Sequence, residues 1–401
     1  MHHTNFIVRE PLLDPAQRVI GYELLWKHGE GAVTDADLEA LVGFVAEHFN
    51  DDEDGWLLRD KLLFLDAVPA MLSTDALFAL PPERTVLSLQ ARHLMDPDTR
   101  AAVQAVRAGG VGVSIRGLEV KHLTPALAPY ASHIEMRFSG VDVGAQARTY
   151  AAARQSSLRM VGRPVTNWVD YDASAALGLD AFVGKLHLTP RPGNPVKGLN
   201  PTQTVILQLM QMVQNNEDIP KLESVLKRDP ALTYKLLRNI NSAGFGAGRE
   251  VQSIRQAISL MGYAPLYRWL TLLLASASTS GYSPVLMETA VVRGRLTELL
   301  GQAALGKGEG ENLFVAGMFS LLDRLLGLPM QEVLDTIPLP TEVVHALLRR
   351  EGKYGQYLAL AEACELSSHL VGSLAGSLEL SPLDVNKAHL SALAWAQAVT
   401  A

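Results

Sequence analysis

Glu23 is the first candidate for a chemical role in this sequence, because it is an acidic residue inside an apolar run. The run begins at Val19, and the Leu-Leu-Trp segment at 24–26 follows Glu23 directly. A carboxylate in such surroundings is costly unless it is exposed, hydrogen-bonded or bound to a cation. The spacing therefore makes Glu23 a candidate metal ligand or ion-pair partner.

The elements around Glu23 resemble two strands joined by a turn. Phe6 to Leu13 and Val19 to Trp26 are apolar runs, and the turn-forming pair Asp14-Pro15 separates them. Six further β-prone runs follow, at Leu62 to Leu65, Thr85 to Leu89, Val111 to Ile115, Ile134 to Phe138, Arg159 to Val165 and Ala181 to Leu186. Helix-like segments lie between these runs, which favours parallel pairing. A tally near eight strands predicts a closed β/α barrel, trimmed because its helices are short.

The second half of the chain has a different composition. The segment TPRPGNPVKGLNPTQ, which begins at Thr189, is rich in proline and glycine and predicts a linker. Beyond it every apolar segment has a helical period, and Asp218, Asp229 and Ser381 each precede a predicted helix start. The sequence thus predicts an α/β barrel at 1–190, a linker at 191–203 and an all-α domain at 204–401.

Composition and charge exclude several classes of protein. The chain has 401 residues, of which 48% are hydrophobic, and this suits a globular protein of two domains. A net charge of -7 without a local basic patch argues against a nucleic-acid partner. The N-terminus has no signal-peptide pattern, and the longest apolar run, Trp269 to Ala277, is too short to cross a bilayer. We expect a cytoplasmic protein with no membrane partner.

The first half resembles an EAL domain, a family whose active members hydrolyse cyclic di-GMP with divalent metal ions. The segment RVIGYELLWK carries the resemblance, with Glu23-Leu24-Leu25 at the namesake tripeptide. It is most similar to the form found where an EAL domain is fused to an HDOD domain. The resemblance implies a trimmed β/α barrel followed by an all-helical HDOD domain.

The second half supports that pairing. The segments LESVLKRDPALTYKLLRNINSAGFG and SIRQAISLMG resemble the HDOD pattern, whose signature here is Asp229, Pro230, Asn241 and Ser242. Asn241 and Ser242 also suit a helix cap followed by a glycine-rich loop. No His-Asp dipeptide occurs in the chain, so the metal-binding pair of the related HD phosphohydrolases is missing. His345, His369 and His389 lie in separate predicted helices and are interpreted as packed or surface residues.

Residue by residue, the EAL resemblance places most of the family's site on side chains that do not bind metals. Glu23 matches the first metal ligand, and Asp66 stands where the family has an asparagine ligand. The other vestigial positions are Lys27, Ser88, Arg116, Gly117, Glu135, Arg137, Gly162 and Val183. Two-metal hydrolysis requires several carboxylates to hold the ions. The resemblance therefore implies a degenerate site with no catalytic residue, no metal and no cofactor.

Two readings of the substituted arginines remain open. Arg116 and Arg137 are expected at neighbouring strand ends, close to Asp66 and Glu135, where they could form an internal salt-bridge cluster. Alternatively, Lys27, Arg116 and Arg137 could bind the phosphate groups of a nucleotide, because guanidinium groups suit phosphate oxygens. In the first reading, Glu23 pairs with one of these three cations.

The intact HDOD pattern beside the lost ligands predicts a non-catalytic bacterial signalling scaffold rather than an enzyme. Its expected partners are other signalling proteins, such as an EAL/GGDEF-type or regulatory protein, and a second copy of the chain in a homodimer. One alternative is a sensor that binds cyclic di-GMP without hydrolysis. Another is a residual phosphodiesterase that uses Glu23 and Asp66.

Overall fold

The chain forms two compact units in a computed structural model. The first comprises Met1–Pro192, Ser283–Glu288 and Ala359–Ala401, and the second comprises Gly193–Tyr282 and Thr289–Leu358. The structure describes residues 5–28, 34–51, 55–118, 125–137, 148, 150–152, 154, 157–189, 191, 199–241, 251–277, 284–337, 339–366 and 369–400. This division differs from the sequence-based boundaries, because the last 43 residues are grouped with the first unit. The predicted boundaries themselves stay a prediction.

The first unit contains the closed barrel that the alternating apolar runs predict. Its strands are β1 Asn5–Leu13, β2 Val19–His28, β5 Leu62–Asp66, β6 Thr85–Gln90, β7 Gly112–Arg116, β8 His133–Arg137, β9 Arg159–Arg163 and β10 Ala181–Val183, while β3 Asn50–Asp51 and β4 Gly55–Trp56 form a separate pair. The barrel order is β1-β10-β9-β8-β7-β6-β5-β2. Strand β1 is antiparallel to both neighbours, and the other pairs are parallel. The carboxyl ends of seven strands therefore meet at one mouth.

Apolar side chains fill the barrel interior, and a glycine lets two strands approach. A cluster of buried residues forms the core, namely Leu12, Phe64, Val86, Val161, Ala181 and Val183. A Cβ atom at Gly21 would lie 2.3 Å from the carbonyl oxygen of Leu62. Any larger residue at this position would push β2 away from β5, which carries Asp66.

Four α-helices lie outside the barrel within the described part of the first 192 residues, and they range from 4 to 15 residues. They are α1 Asp35–Phe49, α2 Asp75–Phe78, α3 Pro97–Ala108 and α4 Trp168–Ala176. Helix α1 begins at a capping box in which Thr34 and Asp37 bind each other's backbone N–H groups. The interval between β7 and β8 is one of those that the sequence predicts to be helix-like, and its described residues contain only a short 3-10 turn, Pro125–Leu127. Most of the interval between β8 and β9, which is also predicted to be helix-like, lies outside the described residues.

Beyond the linker the described chain is entirely helical, which confirms the predicted all-α second half. The helices are α5 Pro201–Gln214, α6 Ile219–Leu226, α7 Pro230–Ile240, α8 Ile254–Met261, α9 Tyr263–Ser276, α10 Pro284–Leu305, α11 Gly310–Phe319, α12 Leu322–Leu326, α13 Met330–Thr336, α14 Thr341–Arg349, α15 Gly352–Leu366, α16 Val371–Ser377 and α17 Pro382–Thr400. None of the helices in the described ranges is long and apolar enough to cross a membrane.

Polar contacts hold the end of the chain against β1 within the first unit. Asn386 on α17 accepts a hydrogen bond from the Ile7 N–H (2.7 Å) and donates one to the Asn5 carbonyl (2.9 Å). His389 contacts the Arg9 guanidinium at 2.7 Å and the Ile7 carbonyl at 3.1 Å. Burial, together with Arg9, lowers the pKa of His389 to about 3, so this histidine is a neutral packing residue.

Candidate functional site

A cluster of charged side chains occupies the mouth of the barrel. Glu23 lies on β2, Arg116 ends β7, Glu135 lies on β8, Arg163 ends β9 and Asp66 ends β5. Strand pairing brings them together, because the carboxyl ends of parallel strands lie side by side. The antiparallel partner of Glu23 on β1 adds a further carboxylate, Glu10.

Arg116 is the centre of the cluster, since its guanidinium contacts three carboxylates. It donates hydrogen bonds to Glu23 and Glu135 through different nitrogens. A third nitrogen forms an ion pair with Asp66 Oδ1, although this contact lacks the geometry of a hydrogen bond. One arginine thus offsets charge on carboxylates from three strands.

Arg163 provides the second guanidinium. Its Nη1 donates to Glu23 Oε1 at 2.7 Å and to Glu135 Oε1 at 3.3 Å, while its Nη2 donates to Glu23 Oε2. Glu10 lies 3.9 Å from Nη2. Both oxygens of Glu23 are therefore bound by arginine, and its side chain is only 1% exposed.

The cluster carries more negative than positive charge. Among the described side chains, four carboxylates face two guanidinium groups, and the ammonium group of Lys185 also acts on Glu10, so the carboxylates outnumber the cations. Burial and the Glu23 carboxylate raise the pKa of Glu10. Burial also raises the pKa of Asp66, although Arg116 acts in the opposite direction. Burial alone would lower the pKa of Arg163, but the Glu23 and Glu135 carboxylates outweigh it and raise that pKa.

The described carboxylates do not fit the two-metal site that the EAL resemblance implies. Hard divalent cations need several free oxygen ligands, usually including carboxylates. Here the guanidinium groups already bind both oxygens of Glu23, one oxygen of Glu135 and one of Asp66. In the part of the chain that the structure describes, no group of three or more His, Cys, Asp or Glu residues could hold a metal ion.

Several residues that the sequence predicted for the site lie outside the charged cluster. Ser88 is buried on β6, Val183 is buried on β10, and Gly162 lies within β9. Gly117 has a positive φ of 71° directly after β7, a conformation that favours glycine. The side chain of Lys27 is outside the described residues.

The sequence analysis predicted the wrong residue as the second arginine of the charged cluster. Arg137 was expected beside Arg116, but it is exposed at the end of β8 and pairs with none of the described carboxylates. Arg163 takes that place, one residue after the position matched to a family glutamate. The RMVGRP segment contains Arg163 directly after Gly162, the position matched to the family glutamate. Only the register of β9 decides which of these two neighbouring residues faces the mouth.

The signature residues of the helical half have structural contacts. Asp229 accepts hydrogen bonds from the N–H groups of Ala231 and Leu232, both at 3.0 Å, and so caps the helix that begins at Pro230. The Asn241 side chain exchanges two hydrogen bonds with the backbone of Val251, at 2.8 and 2.9 Å. Ser242 lies outside the described residues.

Comparison with known sequences identifies relatives over most of the chain. Residues 199–331 match the HDOD domain family. "Cyclic di-GMP phosphodiesterase CdgJ" of Vibrio cholerae is 25% identical over 370 residues, which cover 90% of this chain and 85% of that protein. "Uncharacterized protein YuxH" of Bacillus subtilis is 23% identical over 97% of both chains.

Many solved structures are similar to part of the chain, and two of them illustrate the extent of the similarity. The PaMucR phosphodiesterase in complex with c-di-GMP is 15% identical, with a TM-score of 0.37, and the match covers 47% of this chain and 93% of that one. The EAL domain of Mycobacterium smegmatis DcpA is 18% identical, with a TM-score of 0.36, and the match covers 45% and 90% of the two chains.

The Vibrio cholerae relative contradicts the prediction of a non-catalytic scaffold, and with it the prediction that this chain is not an enzyme. That relative is named a phosphodiesterase, and its similarity extends over both halves of the chain. The prediction was wrong because it inferred the absence of activity from the absence of familiar ligands. The chain consists of an N-terminal eight-stranded barrel that resembles EAL domains and a helical C-terminal region that contains an HDOD domain.

Proposed function

We propose that the chain is a cyclic di-GMP phosphodiesterase whose nucleotide site is the mouth of the barrel. The observation that carries the proposal is the similarity of 90% of the chain to a relative named for that activity. The position of the charged cluster supports it, because active sites of β/α barrels lie at the carboxyl ends of the strands.

The arginines are suited to bind the substrate. Guanidinium groups bind phosphate oxygens through paired N–H donors, and they stabilise charge that develops on those oxygens during hydrolysis. Arg116 and Arg163 are 11% and 16% exposed, so they lie at the mouth rather than deep in the core. Substrate binding then requires each guanidinium to exchange part of its contact with Glu23 for the phosphodiester.

A carboxylate near the opening is suited to activate water. Asp66 is the most exposed acid of the cluster, at 30%, and burial raises its pKa. Glu10 also has a raised pKa and is 18% exposed. A base is more effective when its pKa approaches the working pH, so these two acids are the candidate general bases. No step is assigned to a metal ion, because the described residues do not fit one.

The test is an assay of cyclic di-GMP hydrolysis by the full chain, with and without Mg²⁺ or Mn²⁺. Chromatography would detect the linear dinucleotide product, and calorimetry would measure binding in the same samples. We expect turnover in the native chain and background levels in Glu23→Gln. Asp172→Asn is the matched control, because Asp172 is 52% exposed and pairs with Arg191 outside the cluster. Binding without product, or no response in either assay, would refute the proposal.

Partner proteins and a homodimer stay predictions of the sequence. The same holds for a cytoplasmic location.

A further inference from the structure

Arg137 lies at the carboxyl end of β8, on the strand face that points into the barrel. Side chains on one face of a strand recur at every second residue, so Arg137 continues the series of His133 and Glu135. Both of these residues are interior. His133 packs edge-on against Phe64 of the barrel core, with ring centroids 5.3 Å apart, while the Glu135 carboxylate belongs to the charged cluster. Arg137 is exposed because the strand ends there, and its side chain therefore begins at the rim of the same mouth.

The two arginines inside the cluster are already bound to carboxylates. All three nitrogens of the Arg116 guanidinium contact an acid, and both Nη atoms of Arg163 bind Glu23. A phosphodiester can take these donors only by leaving Glu23 with fewer partners. The Glu23 side chain is 1% exposed, and a buried carboxylate is costly to leave unpaired. Arg116 and Arg163 alone therefore make a weak site for an incoming anion.

Arg137 differs from both of them because its charge has no such partner. Within the described part of the chain, its side chain forms no ion pair and no hydrogen bond. It is the register partner of Arg163 on the neighbouring parallel strand, so the two backbones are about 4.8 Å apart at this point. Like charges at paired positions repel each other, and an anion that contacts the exposed member relieves this repulsion. The rim thus offers, directly beside the cluster, a cation that no described carboxylate neutralises.

We infer that Arg137 binds a phosphodiester group of the substrate at this rim, and that it supplies affinity which Arg116 and Arg163 cannot supply without releasing Glu23. The substrate, cyclic di-GMP, is that of the proposed function, on which this assignment rests. A guanidinium presents two parallel N–H donors that match two oxygens of one phosphate group. Arg137 makes this contact without breaking an ion pair of the described chain.

Such a contact at the rim has a kinetic signature. Arg137 lies outside the group of carboxylates that could activate water, so it holds the substrate with similar strength before and during the reaction. A contact of equal strength in the ground state and the transition state affects KM more than kcat. Because the side chain is exposed, added salt should also screen the contact.

The experiment measures steady-state hydrolysis of cyclic di-GMP by the full chain and by its Arg137→Gln variant. We expect KM to rise about 5- to 10-fold, with a smaller change in kcat, because a charge-assisted hydrogen bond at a solvated position is lost. Arg137→Lys should recover part of this loss, since it keeps the charge without the paired donors. Arg159→Gln is the matched control, because Arg159 is exposed, begins β9 at the opposite end of the barrel and also has no partner among the described side chains. Its KM should equal that of the native chain.

Calorimetry in the Glu23→Gln background separates this role from the proposed hydrolysis, since binding is then measured without turnover. Arg137→Gln should again weaken cyclic di-GMP binding about 5- to 10-fold, and added salt should reduce the difference. Weaker binding in Arg137→Gln, together with a native chain that forms no product, would refute the proposed function and support the role of Arg137. Turnover with the same KM and the same affinity in Arg137→Gln as in Arg159→Gln would overturn the role of Arg137 and leave the proposed function intact. Absence of both turnover and saturable binding would overturn both.

Discussion

Replacing Glu311 with glutamine is expected to stabilise the helical unit above neutral pH. The Glu311 side chain is 31% exposed, and one of its oxygens is buried without a hydrogen-bond partner in the described part of the chain. The folded state therefore resists ionisation of this carboxyl group. Glutamine occupies nearly the same volume without a charge. Arg268 loses only a contact at 3.9 Å, since it keeps its two hydrogen bonds to Glu298.

The size of the effect follows from the pKa of Glu311, which rises from 4.5 to about 7 on folding. Between these values the folded chain binds more protons than the unfolded chain. The stability associated with Glu311 is thus present below pH 4.5 and is lost as the pH rises through 7. At about 1.4 kcal/mol per pH unit the loss is roughly 3 kcal/mol. Partial exposure to solvent reduces the expected gain of the variant to about 1–3 kcal/mol.

Urea unfolding at pH 4.5, 6 and 8 would measure this gain, with hydrogen exchange in α9 and α11 reporting on the helical unit alone. A chain with two units need not unfold in one step, which is why a local probe is required. Glu311→Gln should be more stable than the native chain at pH 8, with the difference near zero at pH 4.5. Glu332→Gln should show no such dependence. A variant that is equally stable or less stable at pH 8 would refute the reasoning.

Three other substitutions each test a contact that lies within one of the two units. Arg116→Met should cost the barrel about 3–5 kcal/mol at pH 8, because buried carboxylates lose a shared partner, and less at pH 5 as they become protonated. Urea unfolding measures this cost, and the exposed Arg18→Met is the control; equal losses in the two variants would contradict it. Asp229→Ala removes two capping hydrogen bonds and should cost about 1 kcal/mol, seen as faster hydrogen exchange in α7. Gly317→Ala places a methyl group 2.6 Å from the Arg293 carbonyl oxygen and should cost about 1–3 kcal/mol, which a lower melting temperature would reveal; an unchanged melting temperature would contradict it.

The sequence predicted the architecture well because the barrel and the helices depend on periodic apolar patterns. The runs that begin at Leu62 and Thr85 became neighbouring parallel strands, as alternation with helices implies. The antiparallel pairing of β1 was less predictable from the sequence, because an apolar run does not specify the direction of its partner strand. Nor does local pattern reveal that Asn386 and His389 bind β1, since those contacts span more than 370 residues.

The site was less predictable than the fold, because it depends on single-residue register. A shift of one position exchanges the inward and outward faces of a strand, and on β9 this decided between Gly162 and Arg163. Register does not separate Arg137 from Arg163, because the two are paired on neighbouring strands and only Arg163 turns into the cluster. The unpartnered oxygen of Glu311 could not be foreseen at all. Its environment depends on how α9 and α11 pack, and no local sequence feature distinguishes this glutamate from an exposed one such as Glu332.

The charged cluster explains why counting metal ligands led to the prediction of a barrel without catalytic activity. Arg116 and Arg163 contribute positive charge at the mouth, which is one of the roles that a cation performs in phosphodiester chemistry. Among the described side chains the cluster nonetheless retains more carboxylates than cations, so under the proposed function an anionic substrate must displace carboxylates from the arginines. Under the proposed function, the balance of charge at this mouth, rather than the presence of any one family residue, is therefore what must change when the nucleotide binds.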